Sequence, residues 1–436
     1  MIYSIWTNFA DVTQTKAQKS NLWRGRRILK KKVWIFNHYA IPPKVGGITR
    51  HFDFAKQLAE RGYSVTIFAS SFDHKQRVEM LEKGKKFKIE EYEKVKFVWI
   101  KTFPYKKNDI KRLFNIFSYA KNLYFIAKKF ERPDVILASS FHPFAWIVGY
   151  LLSKKFKCRF IAEVRDLWPQ SGIDLGALKE GSVIVKLLRS LEKFIYTKAD
   201  YVVTVLPKAD QYIESLGIDK EKIVHIPNGC DIERFDGLKN VFSEETKKIL
   251  DEHQGYFKAC YLGALGQANA METIIEAAKI VQEKAADNIH FLIIGDGPEK
   301  EKLENMAKEL GLKNVFFYSP ISKLSVPSLL ERVDITLVSM HNLKVYRFGI
   351  SLNKLFDYLC AAKPIVFAGN VANDIVKESG AGISCQSYDS KAFAEAILSL
   401  YAMSKEERER IGQKGREYVQ KFHDIKMLAD RLENIL

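Results

Sequence analysis

The sequence predicts an α/β protein made of two Rossmann-like parallel-sheet domains that face each other across a cleft. Two observations point there. From Val33 onward, short β-branched and aromatic runs alternate with helical patterns of roughly ten to twenty residues, the signature of βαβ units. At 436 residues the chain also exceeds one ordinary core, and after one sheet's worth of strands the alternation starts again.

In the first half the strands are expected at 33–39, 64–70, 97–103, 135–140, 159–165 and 201–206. A second set is expected at 223–227, 259–265, 290–295, 315–319, 335–339 and 364–368. Pro298 after Gly297 opens a helical pattern that Gly311 closes, as helix-end chemistry favours. The organisation expected is a basic arm over 1–32, domains over 33–206 and 207–415, and a closing helix over 416–436 that returns to the first domain.

Charge is unevenly spread. The chain carries a formal +17, with +21 falling in residues 1–200 and −4 in residues 201–436. A cationic half implies an anionic partner, either nucleic acid or an acidic lipid surface, unless lysines such as Lys83, Lys85, Lys86 and Lys88 merely solubilise exposed helix faces. The stretch 105–130 interleaves Lys106, Lys107, Lys111, Arg112 and Lys121 with Leu113, Phe114, Phe117 and Phe125, and is the expected membrane-facing element. The longest apolar run, at 144–152, is far short of the ~18–20 residues that span a bilayer. Five cysteines without a CxxC pair suggest neither a disulfide framework nor a thiolate zinc site, and a reducing, cytoplasmic setting fits them best.

In open parallel sheets ligands bind beyond the carboxyl ends of the strands. The first such loop carries Gly46-Gly47 ahead of a helix, where bare backbone can approach an anion or a sugar. The loop after the fifth strand reads Glu163-Val164-Arg165-Asp166-Leu167-Trp168-Pro169. Ionisable residues there are costly unless paired or used, so Asp166 is a candidate to orient a hydroxyl or act as base, with Arg165 beside it. His142, after the fourth strand, is a further catalytic candidate. In the second half, Gly263 to Gly266 and Gly295-Asp296-Gly297 form turns that could pass beneath a diphosphate. The densest cluster runs from Arg347 to Asp357. A helix starting near Leu352 would place Ser351 or Asn353 at its cap, with Lys354 and Arg347 to neutralise phosphate and Asp357 to hold the ribose hydroxyls.

These motifs, with Ile226-Pro227-Asn228-Gly229 between the halves, resemble glycosyltransferase family 4 from Val33 to the end. The resemblance implies the GT-B fold, an acceptor-binding first domain, a donor-binding second domain and transfer with retention from a nucleotide sugar, with no metal cofactor. The Arg165-Asp166-Leu167-Trp168-Pro169 and Asn353-Lys354-Leu355-Phe356-Asp357-Tyr358 forms are similar to bacterial surface-polysaccharide transferases, including N-acetyl-L-fucosamine transferases. On that basis the expected donor is UDP carrying an N-acetylated, deoxy hexosamine. The acceptor would be a lipid-linked glycan of capsule or O-antigen, reached at the inner face of the plasma membrane. Where the family often carries two glutamates eight positions apart, this chain has Gly349 and Asp357, so the donor-sugar contact would fall to Asn373 or Asp374.

Rival readings are a UDP-sugar 2-epimerase of the same fold and a basic nucleic-acid-binding protein. A nicotinamide dehydrogenase is disfavoured, since no GxGxxG follows a strand with an acidic residue about twenty positions on. No Asp-x-Asp motif offers a metal-chelating diphosphate site.

Overall fold

A computed structural model describes residues 31–47, 49–74, 77–106, 110–140, 142–285 and 288–436. Within them Lys32–Leu436 forms one compact unit. The basic arm up to residue 30, and Lys107, lie outside the described residues.

The first sheet contains β1 (Lys32–Phe36), β2 (Ser64–Ser70), β3 (Phe87–Tyr92), β4 (Val95–Ile100), β5 (Val135–Ser139), β6 (Arg159–Val164), β7 (Tyr201–Thr204) and β8 (Ile223–His225), in the order β8-β7-β6-β5-β1-β2-β4-β3. All neighbours are parallel except the β3–β4 hairpin. Its central strands are buried on both faces, which is why they read as unbroken apolar runs such as Val33 to Phe36. Helices α1 (Arg50–Glu60), α2 (Ile110–Ala127), α3 (Phe144–Phe156) and α4 (Val183–Lys198) cover it. Tyr119, Leu123, Trp146, Leu152 and Ile195 from α2, α3 and α4 pack into one core face. Phe52 and Leu58 of α1 pack into the other.

The second sheet contains β9 (Phe257–Leu262), β10 (Ile289–Ile294), β11 (Val315–Tyr318), β12 (Ile335–Ser339), β13 (Ile365–Ala368) and β14 (Gly382–Cys385), all parallel, in the order β11-β10-β9-β12-β13-β14. Among its helices are α5 (Asn353–Cys360) and α6 (Lys405–Phe422). The last helix, α7 (Ile425–Glu433), crosses to the first lobe. There Ile425, Leu428 and Leu432 join the α1 core face, and Arg61 donates to Glu433 at 2.7 Å. Outgoing and returning chain run side by side, since the Cys230 N–H donates to the His423 carbonyl and the Ile425 N–H to the Cys230 carbonyl.

Three sequence expectations change. The strand expected at 223–227 to open the second sheet instead pairs parallel with β7, because a short crossover through the helix at Ala209–Ser215 brings it to that edge. Residues 207–225 therefore belong with the first lobe, and the boundary moves from 206/207 to the segment after His225. Lys83 to Lys88 lie in a turn and on edge strand β3, not on a helix, where charge protects an open edge. In the stretch expected to face a membrane, Tyr105 is buried, and α2 splits into a core stripe (Ile116, Tyr119, Leu123, Ile126) and an exposed one (Leu113, Phe114, Phe117, Phe125).

Candidate active site

The carboxyl ends of both sheets face one cavity of about 720 Å³ between the lobes. Asn37 and His38 follow β1, Arg165 and Asp166 follow β6, and Gly263 follows β9; all line it, as do Gly46 and Gly47. Both glycines have φ of +87°, so their loop needs residues free of a Cβ to run along the cavity wall.

Asp166 is open to the cavity and makes no side-chain hydrogen bond among the described residues. Its recess between the lobes raises its pKa, against the opposing charge of Arg165. A carboxylate so placed is available to a hydroxyl entering the cleft. Behind it lies a buried polar cluster. Arg50 donates to Glu163 at 2.9 Å and His51 bonds the other Glu163 oxygen at 2.7 Å. Burial alone would raise the Glu163 pKa, but Arg50, His51 and Arg165 hold it well below the usual range. Arg50 also donates to the carbonyls of Ile226 and Pro227, so this ion pair braces the crossing between lobes.

His142 needs correction as a catalytic candidate. It does not line the cavity; it sits behind His38, with ring nitrogens 2.9 Å apart, and burial pushes its pKa down to about 3. It stays neutral and can only orient His38, which does line the cavity.

In the second lobe, Lys354 lies on the cavity wall in the first turn of α5 and contacts the space beside Gly263. Its amine meets the Tyr261 hydroxyl at 2.7 Å and Asn269 Oδ1 at 3.0 Å. Neither partner is charged, and burial lowers the pKa to about 7. Asn353 lines the same wall. Leu352 is the N-cap, not Ser351 or Asn353, and Ser351 Oγ instead accepts the Asn228 N–H at 2.9 Å.

Other donor-site candidates are turned elsewhere. Asp357 does not line the main cavity; it pairs with Lys323 at 2.5 Å beside a small neighbouring pocket. Arg347 lies outside the cavity, 3.3 Å from Asp174 of the first lobe, and stacks on Phe348. Gly295 and Gly297 do not line the cavity but support the turn that does. A Cβ on either would collide with the carbonyls of Gly263 or Leu265, at 1.8 and 2.2 Å. Gly266 also lies outside the lining. Asn373 is spent on the Ile350 backbone, and Asp374 caps the helix at Ile375–Ser379.

Residues 45–234 match the family model described as Glycosyltransferase Family 4, and residues 242–418 match that of Glycosyl transferases group 1. The chain is a glycosyltransferase of the GT-B fold. It is 23% identical to an uncharacterized glycosyltransferase, MJ1069 of Methanocaldococcus jannaschii, over 85% of this chain and 89% of that one. It is 26% identical to the putative colanic acid biosynthesis glycosyl transferase WcaI of Escherichia coli, over 54% of this chain and 58% of the other. Among solved structures, Anabaena HepE in complex with UDP and glucose superposes with a TM-score of 0.65 at 15% identity, covering 93% and 98% of the two chains.

In this transferase the glycine at 349 has a backbone reason. Its φ is +91°, and a Cβ there would lie 2.5 Å from Pro207 and 2.7 Å from the Asn373 oxygen, so no side chain fits. The first lobe presses on that loop directly, with the Lys208 N–H donating to the Phe348 carbonyl at 3.0 Å. Sequence reasoning missed His38, the His51–Glu163 pair as one unit, and Tyr261 and Asn269 as the cradle of Lys354. His38 stands two residues past the end of β1, inside the strand expected over 33–39, so the sequence did not mark it as a loop residue. The Tyr261 and Asn269 partnership joins positions 85 to 93 residues away and carries none.

Proposed function

We propose that the transferase moves a sugar from a UDP-linked donor to a lipid-linked glycan in surface-polysaccharide assembly, with retention and without a metal. The observation that carries the donor half is Lys354. An amine held by two neutral partners at the start of a helix, beside a glycine turn, is a cation site waiting for an anion. Arg165, also on the wall, makes no side-chain hydrogen bond among the described residues and supplies a second cation. Together with the α5 N-terminus they would stabilise the diphosphate as the anomeric C–O bond breaks and its electron pair passes to the phosphate oxygen. Asp166 would orient the acceptor hydroxyl, whose oxygen forms the new glycosidic bond on the same face while its proton leaves to the departing phosphate.

The sugar is proposed to be an N-acetylated, deoxy hexosamine. The names of WcaI and of WaaG, a structural neighbour involved in lipopolysaccharide biosynthesis, support the polysaccharide setting, and the complex of HepE supports UDP. The lipid-linked acceptor would be met peripherally, at the cytoplasmic face; among the described residues no helix is long and apolar enough to cross a membrane. Thermal unfolding of the protein with UDP, GDP, NAD and a panel of UDP-sugars tests this, because a ligand that binds only the folded state raises Tm. Stabilisation by UDP and slow hydrolysis of one UDP-sugar are expected; stabilisation by NAD alone would overturn the reading.

A further inference from the structure

We propose that Asp174 and Arg347 are positioning residues for the transfer: their ion pair clasps the two lobes and sets Asp166 against the donor end of the cleft, an inference that rests on the glycosyl-transfer reading above. Asp166 makes no side-chain hydrogen bond among the described residues, so its place is set by the backbone that carries it. That backbone folds back at once. The Trp168 N–H donates to the Asp166 carbonyl at 3.0 Å and the Ser171 N–H to the Leu167 carbonyl at 2.6 Å, and the chain enters the short helix Gln170–Asp174. At the end of that helix the Asp174 carboxylate is only 5% exposed. One of its oxygens accepts from Gln170 Nε2 at 2.8 Å, and the other accepts from Arg347 Nη1 of the second lobe at 3.3 Å. Gln170 is held in turn by Arg189 at 3.3 Å, which pairs with Glu180 at 3.0 Å.

The second lobe is prepared for this contact. Arg347 belongs to the one-turn segment Lys344–Phe348, where the same Nη1 donates to the Lys344 carbonyl at 2.7 Å and the guanidinium lies over the Phe348 ring, 4.3 Å from its centre. A side chain already ordered by its own turn gives up little further freedom in reaching across. Val345 and Phe348 of that turn are buried in the first lobe's core, and Phe348 meets Tyr212 edge-on at 5.7 Å. Apolar docking of this kind is non-directional and leaves room to slide, whereas the ion pair fixes a register. Register matters because both segments also line the cavity, Asp166 and Ser171 on one side and Val345 and Tyr346 on the other. Lys354 stands on the second lobe and Asp166 on the first, so a slip between these walls changes the distance from the amine that would hold diphosphate to the carboxylate that would orient the acceptor. A misplacement of about 1 Å can cost on the order of a hundred-fold in rate. The pair faces an outer recess of about 620 Å³ and Arg347 is half exposed, so dissolved salt reaches it.

Steady-state hydrolysis of UDP-sugars by the full chain, with water standing in for the acceptor, tests the assignment beside hydrogen exchange. Arg347→Gln and Asp174→Asn should each lower kcat about three- to five-fold, the range open to a half-exposed ion pair, and leave UDP affinity by calorimetry within about two-fold. Arg347→Lys should recover part of the loss, and the double variant should be no slower than either single one. At saturating donor, molar sodium chloride should slow the unmodified chain by a similar factor and Arg347→Gln hardly at all. With UDP bound, the amides of residues 165–174 should exchange faster in Arg347→Gln than in the unmodified chain. Unchanged exchange there means that no clasp exists, and unchanged kcat beside faster exchange means that the clasp does not position Asp166; either result overturns the proposal. So does a loss that falls on UDP affinity instead of kcat, which would put Arg347 in the donor site, and so do losses that simply add in the double variant. If UDP does not bind, or the unmodified chain hydrolyses no UDP-sugar, the glycosyl-transfer reading itself fails.

Discussion

Lys354 should make donor binding pH-dependent in a way that one substitution removes. In the free protein its amine is desolvated and faces only a phenol oxygen and an amide oxygen, so it loses its proton at about pH 7. A diphosphate arriving beside it restores the charged form, which means that binding takes up a proton whenever the amine starts out neutral. Above pH 7 each unit should then cost about ten-fold in UDP affinity, or ~1.4 kcal/mol. From pH 7.5 to 9.5 that amounts to roughly a hundred-fold. Calorimetry in two buffers of different ionisation enthalpy should count close to one proton taken up at pH 8 to 9. Lys354→Met should bind UDP more weakly at pH 7, with no slope above it. The sign for stability follows from the same shift. Unfolded chain keeps this proton to about pH 10.4, so between pH 7 and that value the unfolded state binds more protons and folding stability rises with pH. The methionine variant should therefore be more stable than the parent at neutral pH, with the gap closing toward pH 10. A flat UDP affinity across pH 7.5 to 9.5, or no proton uptake, would refute the neutral-amine argument.

Asp166→Asn should lower transfer by about a hundred-fold or more while sparing UDP affinity, and steady-state kinetics beside calorimetry separate the two. A loss confined to donor binding would contradict the acceptor-side role. Glu163→Gln leaves the Arg50 guanidinium buried without its counter-charge and should cost about 3 kcal/mol in urea unfolding, with Arg50's carbonyl contacts limiting the loss. Gly349→Ala should lower stability by about 1–3 kcal/mol, because it places a side chain at positive φ against Pro207. Gly349→Glu, which restores the residue common in the resembled family, should be worse still.

The order of strands and the loops that matter were legible in the sequence, because hydrophobic alternation is a local property and ligand loops follow strand ends by topology. Gly46, Gly47, Gly263, Arg165, Asp166, Asn353 and Lys354 all reach the cavity on that logic. Side-chain direction was not legible. Lys354 and Asp357 are three residues apart on one helix, about 60° apart around its axis. That small angle is enough for Tyr261 and Asn269 to hold one at the cavity while Lys323 draws the other into a neighbouring pocket. Arg347 likewise belongs to a one-turn segment whose outward face meets Asp174 of the other lobe. The chain by itself also specified that a strand forms at 223–225, but not which sheet it joins, since a short strand has no inherent partner and takes the edge its crossover can reach. In the structure His142 and His38 each follow a strand end. Only packing decides that one is sealed behind the other, because burial is set by what the rest of the chain places on top.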